Sequence, residues 1–99
     1  MSPTYTIWRG DDEAAIITKS FGFLSEHFVV DIPGSEALEI QGDFWDHEYT
    51  FTRSGQLVAN VSKQWFTLAE TYGVEVQSGE DDVLILASAI ILDLVNDRR

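Results

Sequence analysis

Thirteen residues near the C-terminal end, Val83 to Val95, form an apolar run with only two polar side chains, Ser88 and Asp93. A membrane-spanning helix needs about 20 residues, so this length fits a helix in a protein core. The preceding segment 78–82 supplies capping side chains and negative charge, both favourable at a helix start. Because a helix that is apolar on all sides is a buried one, the sequence predicts a helix over about 81–97 that other structure encloses.

The chain before this helix has the pattern of β-structure. Between Tyr5 and Val76, short segments of alternating apolar and polar residues are separated by turn residues. Phe28 and Val30, for example, share one face of their segment. This pattern predicts about six antiparallel strands, and therefore a fold that is mainly β with one C-terminal helix.

The sequence also repeats itself without a gap at an offset of 44 residues. The matching pairs are Tyr5 with Tyr49, Thr6 with Thr50, Arg9 with Arg53, Ala15 with Ala59, Lys19 with Lys63, Leu24 with Leu68, Glu26 with Glu70 and Val30 with Val74. A fixed period of this kind is typical of supersecondary units that share one core. We expect two repeats, at about 5–35 and 49–79, within a single domain of residues 1–99.

Standard spacings give the size of a sheet that encloses such a helix. A helix packs about 10 Å from a sheet, so the enclosing barrel has a circumference of roughly 63 Å. Strands about 4.8 Å apart and tilted by about 40° then require on the order of ten strands for closure. Six strands surround only about half of the helix, so we expect a half-barrel wrapped around it.

Three segments resemble the bacterial and archaeal branch of the LURP-one-related family: DIPG at 31–34, LEIQGDFWDHEYTFTR at 38–53 and GEDDVLILA at 79–87. The resemblance covers nearly the whole chain. It implies the fold of the tubby and phospholipid-scramblase superfamily, a closed barrel of twelve antiparallel strands around a C-terminal helix. Family members are typically nearly twice as long, so the resemblance also implies that this chain corresponds to the C-terminal half only.

Half of such a barrel would expose an unpaired first strand and an apolar flank of the helix. Both features promote association. We therefore expect a homo-oligomer that pairs edge to edge, or a complementary half-barrel supplied by another molecule.

The charge balance limits the possible partners. Seventeen Asp and Glu against six Lys and Arg give a net charge of -11. This field repels nucleic-acid phosphates and anionic lipids, so no nucleic-acid partner is expected and membrane lipid is disfavoured. An acidic surface with few lysines also stays soluble at high salt, which makes a halophilic source one hypothesis. The lack of cysteine and of signal-peptide features fits a cytoplasmic protein.

Four cations at repeat-related positions are the candidate ligand-binding residues: Arg9, Lys19, Arg53 and Lys63. Tubby relatives bind phosphoinositide headgroups through basic side chains on the barrel wall, so the resemblance implies an anion site. The alternative interpretation, which the -11 background favours, is that these cations neutralise nearby carboxylates.

A second polar cluster, Asp43, Asp46, His47 and Glu48, has the side chains of a divalent metal site. However, neighbours along a strand such as His47 and Glu48 point to opposite faces. The favoured interpretation is a polar turn beside Phe44 and Trp45 in the core, so neither a metal site nor a cofactor is predicted. Two aromatic corners, Phe21 with Phe23 and Trp65 with Phe66, are likewise interpreted as packing at the barrel rim.

No catalytic residue is predicted, because the nucleophile, phosphate-loop and zinc-helix motifs are missing from the sequence. Asp93 is either a buried acid or a residue near the open helix end. The favoured function is a non-enzymatic binding or scaffold domain of the LURP-one-related type. Two alternatives stay open: binding of phosphoinositide-like or lipid headgroups at a membrane surface, and an enzyme of unknown type at the barrel mouth.

Overall fold

The computed structural model of the chain describes residues 3–21, 26–62 and 73–97. These residues form seven β-strands followed by one α-helix, one strand more than the pattern predicted, because every alternating segment forms its own strand. The elements are β1 (Thr4–Arg9), β2 (Asp12–Phe21), β3 (Glu26–Asp31), β4 (Leu38–Asp43), β5 (Glu48–Arg53), β6 (Gln56–Val61), β7 (Val74–Val76) and α1 (Asp82–Asp97).

The strands form one antiparallel sheet in which each strand pairs with its neighbours in sequence. The order runs from β1 to β7 without a crossover, so β1 and β7 are the two edges of the described sheet. The sheet forms a half-barrel, and the C-terminal helix packs on its core-facing side. The predicted fold class, mainly β with one C-terminal helix, is confirmed.

Alternation along the strands sets which side chains face the helix. Phe28 and Val30 on β3, and Tyr49 and Phe51 on β5, are buried in one cluster that also contains helix residues. The rings of Phe28 and Phe44 meet edge to face with their centroids 5.0 Å apart. Burial of these large side chains is the main favourable term that holds helix and sheet together.

The 44-residue repeat has a counterpart in the backbone. Strand β1 spans residues 4–9 and β5 spans residues 48–53, an offset of 44 at both ends. The β1–β2 register shifts between Ile7 and Trp8, and the β5–β6 register shifts between Phe51 and Thr52, again 44 residues apart. Because such an irregularity increases local twist and bends a strand, both hairpins curve at the same point.

Helix α1 begins directly after Asp81. The Oδ1 atom of Asp81 accepts a hydrogen bond from the Leu84 amide at 3.2 Å, and its carbonyl accepts one from the Ile85 amide at 3.1 Å. Asp81 is therefore the N-cap residue. One face of the helix is buried against the sheet, at Leu84, Ile85, Ser88, Ala89, Leu92 and Asn96. In the described part of the chain, no helix is both long enough and apolar enough to span a bilayer.

Candidate interaction surface

The face of α1 that points away from the sheet is apolar and exposed. It carries Val83, Leu86, Ile90 and Leu94, which are between 43% and 64% exposed. Their spacing of three, four and four residues places them along one side of a helix. We call these four residues the helix stripe. The structure thus confirms the expected apolar flank of the helix. Contiguous exposed apolar patches often mark interaction sites.

An apolar cleft lies beside the helix stripe. It has a volume of about 360 Å³, and its lining includes Tyr5 on the edge strand β1 together with Ile91, Leu94 and Val95 on the helix. Leu94 belongs to both features, so the cleft extends the helix stripe towards the β1 edge. The aliphatic lining favours an apolar side chain as its occupant over a charged group.

The repeat-related arginines hold the start of the helix. Arg9 donates from Nη2 to Oδ2 of Asp81 at 3.0 Å, and Arg53 donates from Nη1 to Oε2 of Glu80 at 2.9 Å. The hydrogen bond to Glu80 raises the pKa of Arg53. The pKa of Asp81 is lowered, first by the hydrogen bond from the Leu84 amide and then by that from Arg9.

Of the predicted cations in the described part of the chain, Arg9 and Arg53 both lie at the start of the helix, whereas Lys19 lies elsewhere on the sheet. Lys19 lies with its ammonium 6.0 Å from the centroid of the Phe28 ring. Because Arg9 pairs with Asp12 on β2, seven residues along that strand from Lys19, the backbone positions of the two cations are about 23 Å apart along the sheet. Lys63 lies outside the described residues. Arg9 and Arg53 are each engaged by a carboxylate, the arrangement that the alternative interpretation describes.

Three polar side chains, His47, Tyr49 and Asp93, lie near one another towards the C-terminal end of the helix. His47 Nδ1 lies 3.1 Å from Asp93 Oδ1, and both side chains are mostly shielded from solvent. His47 has a φ of 54°, an uncommon left-handed conformation for a residue with a side chain. The nearby Tyr49 hydroxyl is buried and has no hydrogen-bond partner among the described residues. Burial, and secondarily the charge of Asp93, raises the pKa of the Tyr49 phenol.

Residues 44–47 form a turn between β4 and β5, which agrees with the favoured interpretation of the polar cluster. The Asp46 amide donates to Oδ1 of Asp43 at 3.1 Å, and Glu48 accepts a hydrogen bond from the Ser62 hydroxyl at 3.1 Å. Among residues 3–21, 26–62 and 73–97, no group of three potential ligands is arranged for a metal ion. Phe44 is buried as expected, but the prediction for Trp45 is wrong, because its side chain is 62% exposed.

Sequence reasoning missed two features of this surface. It treated the helix as apolar all round and did not single out the helix stripe, because an all-apolar run carries no signal for the uncovered side. It also did not predict the ion pairs of Arg9 with Asp81 and of Arg53 with Glu80. Two arginines at repeat-equivalent positions and two adjacent carboxylates before the helix were a signal that could have indicated these pairs. The predicted aromatic corners at Phe21 with Phe23 and Trp65 with Phe66 lie outside the described side chains.

Comparison with known proteins adds a family match. Residues 1–93 match the family model described as LURP-one-related. The chain is also similar to the uncharacterized protein YxjI of Bacillus subtilis (strain 168), at 31% identity over 93 residues. The alignment covers 94% of this chain and 56% of the relative, so the chain spans about half the length of the curated relative that it matches. No solved structure matches it.

Proposed function

Because this chain belongs to the LURP-one-related family, we propose that it is a non-enzymatic binding or scaffold domain whose contact surface is the helix stripe. The observation that carries the proposal is the exposure of four large apolar side chains on α1, opposite the face that packs on the sheet. Leaving such a stripe in water has a cost in free energy, which a partner that covers it removes. The adjoining cleft at Tyr5 gives that partner a second apolar contact.

The proposal includes a tubby-like architecture in which this chain is the C-terminal half of the barrel. Two observations support it. The helix lies against the core-facing side of an uninterrupted antiparallel meander, and the relative is longer than the matched region. A partner that completes the wall beyond β1 and β7 would also cover the helix stripe.

The two alternative functions have less support from the described residues. Lipid-headgroup binding requires cations that are available to a phosphate, whereas Arg9 and Arg53 already pair with Asp81 and Glu80. Catalysis at the barrel mouth requires convergent polar groups in a cleft open to substrate. The cleft at Tyr5 is lined mainly by aliphatic helix residues, and the polar side chains of His47, Asp93 and Tyr49 are mostly shielded from solvent. Fold-level analogy alone is a weak warrant for either function.

Site-specific photo-crosslinking in expressing cells tests the proposal. A photoreactive amino acid replaces Ile90 in the helix stripe. In the control it replaces Glu39, which lies on the solvent-facing side of the central strand β4, away from the helix. We expect a crosslinked species of defined mass from position 90, none from position 39, and loss of the species when Leu86→Glu and Leu94→Glu are added. Absence of any defined product from position 90 would contradict the proposal.

Vesicle flotation tests the lipid alternative separately. With a net charge of -11, the chain should stay at the bottom of the gradient with both neutral and acidic vesicles. Flotation that requires acidic lipid and is lost in Arg9→Ala or Arg53→Ala would favour headgroup binding instead.

A further inference from the structure

A partner that completes the barrel must pair with both edges of the sheet and cover the helix stripe, so the size of the missing wall limits what the partner can be. Each strand occupies about 6.3 Å of a barrel wall, given strands about 4.8 Å apart and tilted by about 40°. The seven described strands therefore provide a wall of about 44 Å. One enclosed helix needs roughly 63 Å, so the described strands of one copy fall short by about three strands.

Two copies come closer to closure than one. Two helices packed about 10 Å apart, each about 10 Å from its own sheet, need an oval wall with a perimeter of about 80 Å. Two sheets of seven strands give fourteen strands and about 88 Å of wall. The mismatch is about one strand, which small changes in tilt can absorb.

We propose that the partner is a second copy of this chain, and that the two copies form a closed barrel of fourteen strands around two helices packed stripe to stripe. This inference rests on the proposed function and names its partner. The helix stripe then meets an identical apolar stripe, and each edge strand meets an edge strand of the other copy. A two-fold interface of this kind is self-complementary.

The number of strands fixes the direction of the pairing. With seven antiparallel strands in sequential order, β1 and β7 run in the same direction. A two-fold axis perpendicular to the strands pairs β1 with β1 and β7 with β7 in antiparallel ladders, and it makes the two helices antiparallel. An axis along the barrel would instead create parallel ladders, which are less stable per residue.

The charges on the helix favour the same direction. Glu80, Asp81 and Asp82 are clustered at the start of α1, and the stripe itself carries no charge. The sixteen-residue helix is about 24 Å long. An antiparallel pair separates the two acidic ends by about that length, whereas a parallel pair places Asp82 beside Asp82 in an assembly that already has a net charge of -22, twice -11.

The stripe is too small to hold the two copies alone. A helix face about 24 Å long and about 10 Å wide covers about 240 Å², whereas a stable interface takes about 800 Å² from each partner. The β1 and β7 edges and the cleft at Tyr5 must therefore contribute. We expect that changing either the stripe or an edge weakens the dimer.

Disulfide crosslinking of the purified chain tests the arrangement, and the absence of native cysteine makes each introduced thiol unique. In an antiparallel pair, Val83 lies opposite Leu94 of the partner subunit. A mixture of Val83→Cys and Leu94→Cys chains should therefore form a mixed disulfide at twice 11.1 kDa. Val83→Cys alone, and the control Glu39→Cys on the outer face, should give no product. Ready crosslinking of Val83→Cys to itself would overturn the antiparallel arrangement.

Native mass measurement of the unmodified chain gives a second readout. We expect a dimer at micromolar concentration, and an Ile90→Glu variant whose dissociation constant rises by about tenfold or more while its far-ultraviolet dichroism is unchanged. Because position 90 is exposed in one copy, this variant should still fold. A wild-type chain that stays monomeric at about 100 μM would overturn the inference. If photo-crosslinking from position 90 then captures a different protein, the proposed function stands; if it captures nothing, both fail.

Discussion

Arg53 donates a hydrogen bond to Glu80 at 2.9 Å and so ties the end of β5 to the turn before α1. Arg9, which occupies the equivalent position 44 residues earlier, makes the same kind of contact with Asp81 at 3.0 Å. The two pairs differ in burial: the Arg53 pair is mostly shielded from water, whereas the Arg9 pair is exposed. The repeat thus provides an internal comparison between a partly buried and an exposed ion pair at one end of the helix.

Removing these arginines should therefore have unequal effects. We expect Arg53→Ala to lower the free energy of unfolding by about 1–3 kcal/mol, because it leaves Glu80 partly buried without a partner. Arg9→Ala serves as the matched control and should cost less than about 1 kcal/mol. Urea denaturation of both variants measures the difference. Equal losses would mean that burial does not set the strength of these pairs.

The N-cap at Asp81 gives a second prediction. Asp81→Ala should cost about 1 kcal/mol, whereas Asp81→Asn keeps an acceptor for the Leu84 amide and should cost less. The pKa of Asp81 lies below its ordinary value of 3.8 in the folded chain, so its contribution is present above about pH 4 and is lost as the pH falls further. Acid unfolding of Asp81→Asn should therefore depend less on pH than that of the wild type. Identical acid titrations would contradict this role.

The unpaired hydroxyl of Tyr49 gives a third prediction. Tyr49→Phe removes a buried hydroxyl that has no partner in the described part of the chain, so the free energy of unfolding should rise by up to about 1 kcal/mol at neutral pH. Tyr5→Phe, at the half-buried edge, is the matched control.

Alkaline pH separates this effect from simple packing. Burial raises the pKa of Tyr49 above its ordinary value of 10, so above that pH the unfolded chain loses the phenolic proton first. Stability should then fall by up to about 1.4 kcal/mol per pH unit. This component should be missing in Tyr49→Phe and present in Tyr5→Phe. A wild type and a Tyr49→Phe variant with the same alkaline slope would show that Tyr49 is solvated.

Gly42 gives a fourth prediction. It has a φ of 143°, and a Cβ built there would lie 2.6 Å from the Cα of Tyr49 across the β4–β5 ladder. Gly42→Ala should therefore cost about 3 kcal/mol or more, from clash and backbone strain together. Gly55→Ala, at a φ of 82° with open space around its Cβ, should show only the strain of about 1–2 kcal/mol. Thermal or urea unfolding compares them. A Gly42→Ala variant no worse than Gly55→Ala would contradict the close approach.

The net charge gives a fifth prediction. Seventeen carboxylates against six basic side chains repel one another in the folded chain. Raising the ionic strength from about 0.01 M to about 1 M shortens the screening length from about 30 Å to about 3 Å, so stability should rise with salt. A denaturation midpoint that does not move between these salt concentrations would remove the support for a halophilic source.

The strands could be predicted from the sequence because their faces are set locally. Leu38 and Ile40, for example, alternate with the polar residues Glu39 and Gln41, and this period of two needs no knowledge of distant contacts. The helix followed from the length and composition of a single run. These elements depend on short-range information, so the pattern located both.

The side-chain contacts could not be predicted in the same way. His47 and Asp93 are 46 residues apart, and no local pattern connects them. Trp45 follows the buried Phe44 directly but points into solvent, because consecutive residues in that turn take opposite directions. Which side of the helix stays uncovered depends on how far the sheet wraps, a property of the whole assembly of strands.

The sequential order of the strands also determines how the chain can fold. Every described ladder joins strands adjacent in sequence, and the β1–β2 and β5–β6 hairpins close over two residues each, at small entropic cost. Helix α1 follows the seven described strands along the chain, so a growing polypeptide can complete these strands before α1 emerges. Until then the concave wall of the sheet is bare. Once α1 packs against that wall, the contacts of Arg9 and Arg53 join the first turn of each repeat to the start of the helix across more than 25 residues of sequence.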